Sequence, residues 1–136
     1  MRILMGYTRT EPGEAVARHA IDEARRRGAE LLILNTRRAG AAGDEDDEAR
    51  YQEGLEQLTA RLAHEGIDHR VLDYSVGDSL AEDLLAAARK NEADLLVIGL
   101  RRRSPVGKLV MGSTAQEILL NADCPVLAVK LPSEQD

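Results

Sequence analysis

The 136-residue sequence has no tryptophan, no phenylalanine and only one cysteine, and these absences limit what the protein can be. An internal disulfide needs two cysteines, so Cys124 cannot form one, and a zinc site built from several cysteines is excluded as well. The single cysteine fits a reducing compartment. Because the large aromatic residues are missing, we expect a core of Leu, Ile, Val and Ala side chains.

Long hydrophobic runs and an excess of positive charge are missing too. The first ten residues are too short and too polar for a signal peptide, and no apolar run approaches the length of a membrane span. The net charge of -6 argues against a nucleic-acid partner, because phosphate binding needs a basic face. We therefore expect a cytoplasmic protein without a membrane partner, folded as a single domain over residues 1–136 with a frayed tail at 131–136.

Five segments have the composition of β-strands. Residues 2–7, 30–36 and 95–98 each contain a continuous apolar run, which is typical of parallel strands covered on both faces. Residues 67–76 alternate only in part, so we predict a strand at an edge of the sheet. The segment from Pro125 to Lys130 predicts the last strand.

Helical patterns separate these strands. The first follows a predicted turn at residues 8–13 and stops at Gly28, and the second stops at Gly66. Ser79 and Ser113 each begin a Ser-x-x-Glu or Ser-x-x-Gln sequence, the capping box that predicts the starts of the third and fourth helices. The predicted order is β-α-β-α-β-α-β-α-β.

This order predicts an α/β fold, because strands that alternate with helices form parallel sheets through right-handed crossovers. We predict a five-stranded parallel sheet in the order 3-2-1-4-5, with helices on both faces in an α/β/α sandwich. In this topology the first and fourth strands are neighbours, and ligands bind at the switch point outside their carboxyl ends. The residues at those ends are Tyr7-Thr8-Arg9 and Gly99-Leu100-Arg101.

The segment after the fourth strand has the composition of an anion site. Gly99 ends the apolar run. The predicted loop that follows carries four cations, Arg101, Arg102, Arg103 and Lys108, and leads to a helix start at Gly112-Ser113-Thr114. A helix start offers unpaired N–H groups and the positive end of the helix dipole. Four cations beside such a helix start predict that this segment binds an anion.

These residues resemble the signature of the universal stress protein family, and the resemblance covers essentially the full chain. In that family a glycine, two residues, a second glycine, nine residues and then Gly with Ser or Thr follow the fourth strand and hold the ribose and phosphates of ATP. Here Gly99 matches the first glycine and Gly112-Ser113 matches the closing pair, while residues 118–130 resemble the last helix and strand. The resemblance implies a cytoplasmic regulatory protein that binds ATP or another adenine nucleotide, with or without Mg²⁺.

The resemblance also implies where the nucleotide would bind. Thr8 is at the position where nucleotide-binding members usually have an Asp that contacts the nucleoside, and Thr36 is where the family touches the adenine. Adenine is therefore expected between Thr8 and Thr36, at the end of the first strand marked by Tyr7, with the ribose near Gly99. The phosphates are expected among Arg101, Arg102, Gly112, Ser113 and Thr114.

Arg102 replaces the second glycine of the signature, and three interpretations of it stay open. It could obstruct the place where backbone approaches the phosphates, since an arginine has less backbone freedom than glycine. It could instead join its neighbours in binding phosphate through guanidinium groups. Three consecutive arginines could also be a solvated loop. The question for this chain is whether Arg102 and Thr8 abolish nucleotide binding or retune it.

A second class of function is a homodimeric interaction module that binds no nucleotide. The family pairs its last strands across a dimer axis, and Pro125 to Lys130 is an apolar edge strand of the kind that has to be covered. A homodimer is therefore expected under either hypothesis. The histidines show no triad or metal-ligand spacing and no general base is evident, so we expect any ATP hydrolysis to be slow and a phosphotransfer enzyme to be the least favoured class.

Overall fold

The computed structural model describes residues 1–8, 11–36, 45–73, 79–101 and 112–131 of the chain. Strands and helices alternate through these residues as the sequence predicts. The elements are β1 (Arg2–Tyr7), α1 (Glu11–Arg27), β2 (Glu30–Asn35), α2 (Glu45–His64), β3 (His69–Asp73), α3 (Leu80–Lys90), β4 (Leu95–Arg101), α4 (Ser113–Asn121) and β5 (Val126–Leu131). None of the helices in the described ranges is both long enough and apolar enough to cross a membrane.

The five strands form one parallel sheet in the order β3-β2-β1-β4-β5. This confirms the predicted topology. β3, the least apolar strand, lies at one edge of the sheet, and β5 lies at the other. The switch point therefore lies between β1 and β4, where the chain order reverses.

The central strands are buried on both faces because successive side chains point to opposite sides of the sheet. In β1, Ile3 and Met5 pack into the cluster formed with α1 and α2, whereas Leu4 packs into the cluster formed with α3 and α4. β2 repeats this alternation with Leu31 on the first face and Leu32 on the second. Apart from Met5, Tyr7 and Tyr51, the buried residues of both clusters are aliphatic, as the composition predicts.

The start of α1 and the end of β4 differ from the sequence prediction, whereas the start of α3 agrees with it. α1 begins at Glu11, so Gly13 lies in its first turn and not in the predicted turn over residues 8–13. β4 continues beyond Gly99 to Arg101, because residues 96–101 all pair with β5. Ser79 caps α3 as predicted and accepts a hydrogen bond of 3.2 Å from the Glu82 N–H.

The predicted capping box at Ser113 is wrong. Gly112 is the N-cap of α4, with an extended backbone (φ -69°, ψ 161°), and its carbonyl accepts the Gln116 N–H at 3.0 Å. Ser113 is already the first residue of the helix and has no capping bond of its own. The helix therefore starts one residue earlier than the Ser-x-x-Gln spacing suggests, on a residue without a side chain.

Three helices end in the same hydrogen-bonding pattern, in which the residue after the C-cap is left-handed. In α1 and α2 that residue is a glycine, Gly28 (φ +60°) and Gly66 (φ +73°), as predicted. In α3 it is Glu92, with φ of +52°, whose N–H bonds the Arg89 carbonyl while the Ala93 N–H bonds the Ala88 carbonyl. This is the Schellman arrangement with a glutamate in the place that glycine usually takes.

We expect Glu92→Gly to raise the free energy of unfolding by about 1 kcal/mol. A left-handed backbone costs an L-residue about 1–2 kcal/mol, and the extra chain entropy that glycine loses on folding cancels only part of this gain. The Glu92 side chain is exposed, so little packing is lost. Urea denaturation measures the change. The matched control is Gly66→Ala, which should lower the free energy of unfolding by a similar amount. A Glu92→Gly protein no more stable than the parent would show that the left-handed backbone at Glu92 is not strained.

Candidate functional site

The sheet opens between β1 and β4 at its carboxyl edge. β1 pairs with β2 as far as Tyr7 opposite Asn35, whereas its pairing with β4 ends at Met5 opposite Val97. β4 itself continues beside β5 to Arg101. The two central strands therefore separate over their last residues, which opens a crevice at the switch point, the place where open α/β sheets bind ligands.

One wall of this crevice is a hydrogen-bonded network across the ends of β1, β2 and β3. The Thr36 hydroxyl donates to the Tyr7 carbonyl at 2.5 Å, and the Thr36 backbone N–H donates to the Tyr51 hydroxyl at 3.0 Å. The Tyr51 hydroxyl in turn donates to Asn35 Oδ1 at 2.6 Å, and Asn35 Nδ2 donates to Asp73 Oδ1 at 2.9 Å. Both ends of the Asn35 amide are engaged, so its orientation is fixed by its partners.

Two tyrosines hold this wall together. The Tyr7 and Tyr51 rings meet edge to face, with centroids 5.1 Å apart and planes 70° apart. Such a pair contributes about 0.5–1.5 kcal/mol beyond the burial of its area. Tyr7 is 8% exposed and Tyr51 is 6% exposed, so both rings belong to the core while the Tyr51 hydroxyl lies at the ends of the strands.

Thr8, the first residue after β1, is held by the first turn of α1. A Cβ on Gly13 would lie 2.1 Å from the Thr8 hydroxyl oxygen and 2.3 Å from the Thr8 carbonyl oxygen. Real Cβ atoms never approach that closely, so the turn can close on Thr8 only because residue 13 is a glycine. Gly6 is also crowded, since its Cβ would lie 3.2 Å from Thr36 Cγ2.

The opposite wall is made by β4 and the start of α4. Gly99 lies inside β4 opposite Val129 of β5, and Gly112, Ser113 and Thr114 begin α4. Gly112 and Ser113 are exposed, and no described atom lies within 4 Å of the place where a Cβ on Gly112 would be. The free N–H groups of this helix start carry a partial positive charge suited to an anion. The crevice thus combines a polar network on one side with an exposed helix start on the other.

The comparison with known proteins identifies the fold to which this crevice belongs. A model of the universal stress protein family matches residues 1–130. The chain belongs to the universal stress protein family. A universal stress protein from Mycolicibacterium smegmatis is 42% identical over 130 residues, which are 94% of this chain and 96% of that protein. The family resemblance seen in the sequence is therefore confirmed.

Solved universal stress proteins have the same architecture. One from Archaeoglobus fulgidus has a TM-score of 0.77 and 30% identity, covering 96% of this chain and 98% of that one. The structure of the Archaeoglobus fulgidus universal stress protein in complex with dAMP has a TM-score of 0.70 and 24% identity, with the same coverage of both chains. At 24% identity, the similarity to the dAMP complex establishes a shared fold and nothing more.

The structure brings some of the predicted site residues together. Tyr7, Thr8 and Thr36 lie side by side at the ends of β1 and β2. The backbone of Arg101 ends β4, and Arg102 lies outside the described residues. The roles assigned to all of these residues, and to Gly99, Gly112, Ser113 and Thr114, stay predictions.

Four residues of the site were not predicted from the sequence. Tyr51 was assigned to the apolar face of α2, which is correct for its ring but gives no information about its hydroxyl. Asn35 and Asp73 end β2 and β3 as polar residues after apolar ones, a signal that could have marked them as facing the crevice. Gly13 carried no signal, because its role depends on a contact with Thr8 that spacing does not reveal.

A second concavity lies at the other end of the sheet and has no reactive group. It holds about 350 Å³ between the end of α3 and the segment before β5, with Leu85 and Cys124 inside and Arg89, Glu92 and Asp123 around it. Burial raises the pKa of the Cys124 thiol, and Asp123 raises it further. At neutral pH this thiol is protonated and is a poor nucleophile, so Cys124 fits the structural role predicted from the sequence.

No metal centre is found in the described part of the chain. No three His, Cys, Asp or Glu side chains in those ranges are placed to hold a metal ion. His69 bonds the Ile67 carbonyl through Nδ1 at 2.9 Å, whereas His19 and His64 are exposed on α1 and α2.

Proposed function

We propose that this universal stress protein binds an adenine nucleotide, ATP, ADP or AMP, in the crevice between β1 and β4. The observation that carries the proposal is the separation of β1 from β4 beyond Met5 and Val97, with the start of α4 following the same strand. The structure of a universal stress protein from Archaeoglobus fulgidus in complex with dAMP supports an adenine nucleotide as the ligand.

The phosphates would bind at the start of α4. Gly112 has no side chain to keep a phosphate away from the backbone, and the N–H groups that follow it point out of the helix start. The Ser113 and Thr114 hydroxyls add donors at the same place. Arg101 and Arg102 supply guanidinium groups in the sequence that leads from β4 to this helix, and Mg²⁺ could accompany ATP there.

The nucleoside would bind against Tyr7, Thr8 and Thr36, with its ribose near Gly99. A neutral hydroxyl such as that of Thr8 contributes about 0.5–1.5 kcal/mol as a hydrogen-bond partner, whereas a charged partner contributes about 1.5–3 kcal/mol. Thr8 therefore binds the nucleoside more weakly than an aspartate would. We expect binding in the micromolar range and a regulatory role, with any hydrolysis slow.

Isothermal titration of the protein with ATP, ADP, AMP and cyclic AMP, with and without Mg²⁺, tests the proposal. We expect saturable binding of one nucleotide per chain and competition among the four ligands for that site. Absence of heat for all four ligands up to millimolar concentration would overturn the proposal. Mass analysis of the supernatant after heating the purified protein checks independently for a bound nucleotide.

We also propose that the protein is a homodimer that pairs through β5. β5 bonds β4 on one side, and within the described ranges no strand pairs with its other side. Val126, Leu127 and Ala128 are each half-buried in the single chain, so an apolar edge is left to be covered. Light scattering after size-exclusion chromatography should give twice the 14.9 kDa of one chain, and a mass of one chain at micromolar concentration would contradict the dimer.

A further inference from the structure

The Tyr51 hydroxyl occupies a hydrogen-bonding position at the end of β2 that points to a role in ligand selection. It accepts the Thr36 backbone N–H at 3.0 Å and donates to Asn35 Oδ1 at 2.6 Å. Without that hydroxyl, the Thr36 N–H would be presented as a donor beside Asn35 Oδ1 as an acceptor. Thr36 and Asn35 are both half-exposed, so this pair lies at the surface of the crevice and not in the core.

A donor beside an acceptor is the complement of one edge of adenine. That edge carries the N1 acceptor next to the N6 amino donor, and a phenol hydroxyl likewise accepts one hydrogen bond and donates another. The Tyr51 hydroxyl therefore satisfies the same two protein groups that an adenine edge would satisfy. Guanine presents the opposite order, because its N1 carries a proton and its C6 carries an oxygen.

We propose that Tyr51 is an internal competitor for the nucleobase and sets both the affinity and the base selectivity of the site. This inference rests on the proposed adenine-nucleotide site and describes its regulation. In the ligand-free protein the pair at residues 35 and 36 is occupied by the Tyr51 hydroxyl. A base can form these hydrogen bonds only by displacing the Tyr51 hydroxyl. Because equivalent bonds to the hydroxyl are broken at the same time, the new bonds add less to the binding free energy.

The environment of Tyr51 favours the occupied state. Its ring is packed edge to face against Tyr7, and the amide of Asn35 is held in the accepting orientation by Asp73 at 2.9 Å. Displacement of the hydroxyl does not require the ring to leave the core, because a small rotation of the ring or a shift of the start of α2 would move the oxygen away. Tyr51 lies in the second turn of α2, so binding of a base would couple to that helix.

Tyr51→Phe tests the proposal, because it keeps the ring and removes only the competing oxygen. Water can replace the lost bonds at the half-exposed residues 35 and 36, so the variant should fold, which circular dichroism and thermal unfolding verify. We expect AMP to bind about fivefold more tightly to Tyr51→Phe than to the parent, and GMP to be unchanged. Thr59→Ala is the matched control, since it removes another α2 hydroxyl, one that bonds the Glu56 carbonyl away from the crevice.

Amide hydrogen exchange gives a readout that needs no nucleotide. The Thr36 N–H should exchange faster in Tyr51→Phe than in the parent, because its acceptor has been removed. Equal or weaker AMP binding by Tyr51→Phe, or an equal gain for AMP and GMP, would overturn the competitor role while leaving the nucleotide site in place. If neither the parent nor the variant binds any nucleotide, the proposed function fails and this inference fails with it.

Discussion

Gly13→Ala should lower the free energy of unfolding by about 2 kcal/mol, although alanine is normally favoured over glycine in a helix by about 1 kcal/mol. The expected sign is reversed because the new Cβ would lie 2.3 Å from the Thr8 carbonyl oxygen and 2.1 Å from its hydroxyl oxygen. Either the first turn of α1 or the end of β1 has to move. Since Thr8 lies in the crevice, nucleotide affinity should fall as well. Urea denaturation and isothermal titration measure the two effects.

A double variant identifies which atoms cause this loss. Thr8→Ala combined with Gly13→Ala removes the hydroxyl overlap but leaves the overlap with the carbonyl, so it should recover only part of the stability. Gly112→Ala is the control for the substitution itself, because its Cβ would meet no described atom within 4 Å. A Gly13→Ala protein as stable as the parent would mean that the turn does not close on Thr8 as the structure has it.

Gly112→Asp should weaken ATP binding at least tenfold while leaving the fold as stable as that of the parent. Aspartate is a better N-cap than glycine, and Gly112 has φ of -69° with open space around it, so α4 should tolerate or prefer the change. Its carboxylate would, however, lie where the phosphates are proposed to bind. Repulsion of about 1.4 kcal/mol between the two charges is enough for a tenfold loss.

Gly112→Asn is the matched control for that experiment. Asparagine has the same size as aspartate and caps a helix equally well, but it carries no charge. We expect its effect on ATP affinity to be less than threefold, and the difference between the two variants to shrink as salt is added, because salt screens exposed charges. Equal losses with Asp and Asn would indicate crowding instead of charge, and no loss with either would place the phosphates elsewhere.

The fold could be predicted from the sequence because its determinants are local and repeated. Runs such as residues 30–36 are apolar on both faces, which is enough to indicate buried parallel strands, and handedness rules then leave few arrangements of five such strands. Gly28 and Gly66 marked helix ends because glycine is favoured in the left-handed conformation that they adopt. The same reasoning missed the end of α3, where Glu92 adopts the left-handed conformation in place of a glycine.

The site was harder to predict because it depends on contacts between residues distant in sequence. The Tyr51 hydroxyl bonds to Asn35 and Thr36, which are 16 and 15 positions away in the sequence. The helical spacing of apolar residues predicts that the Tyr51 ring is buried, but it does not predict the partners of the hydroxyl. Gly13 acts through Thr8, five positions earlier, where no periodic signal exists. Ser113 illustrates a different error, since a capping sequence does not fix the helix start when the preceding glycine can take that position.

Membership of the universal stress protein family leads to the question of whether this chain has abolished or retuned the nucleotide site of its family. Thr8 carries no charge towards the nucleoside, and Tyr51 competes with the base in the proposal made above. Both would weaken binding, and neither blocks the start of α4, where Gly112 is open. If the proposed site is weakened in this way, it would respond to nucleotide only at high concentration, which would suit the proposed regulatory role.

An NMR titration of the ¹⁵N-labelled protein with ATP tests the central claim most directly, because it reports where the ligand binds as well as whether it binds. We predict saturable shifts of the amides at Tyr7, Thr8, Thr36 and residues 112–114, on both walls of the crevice. Absence of saturable shifts up to millimolar ATP, or shifts confined to the concavity around Arg89 and Cys124, would contradict the account.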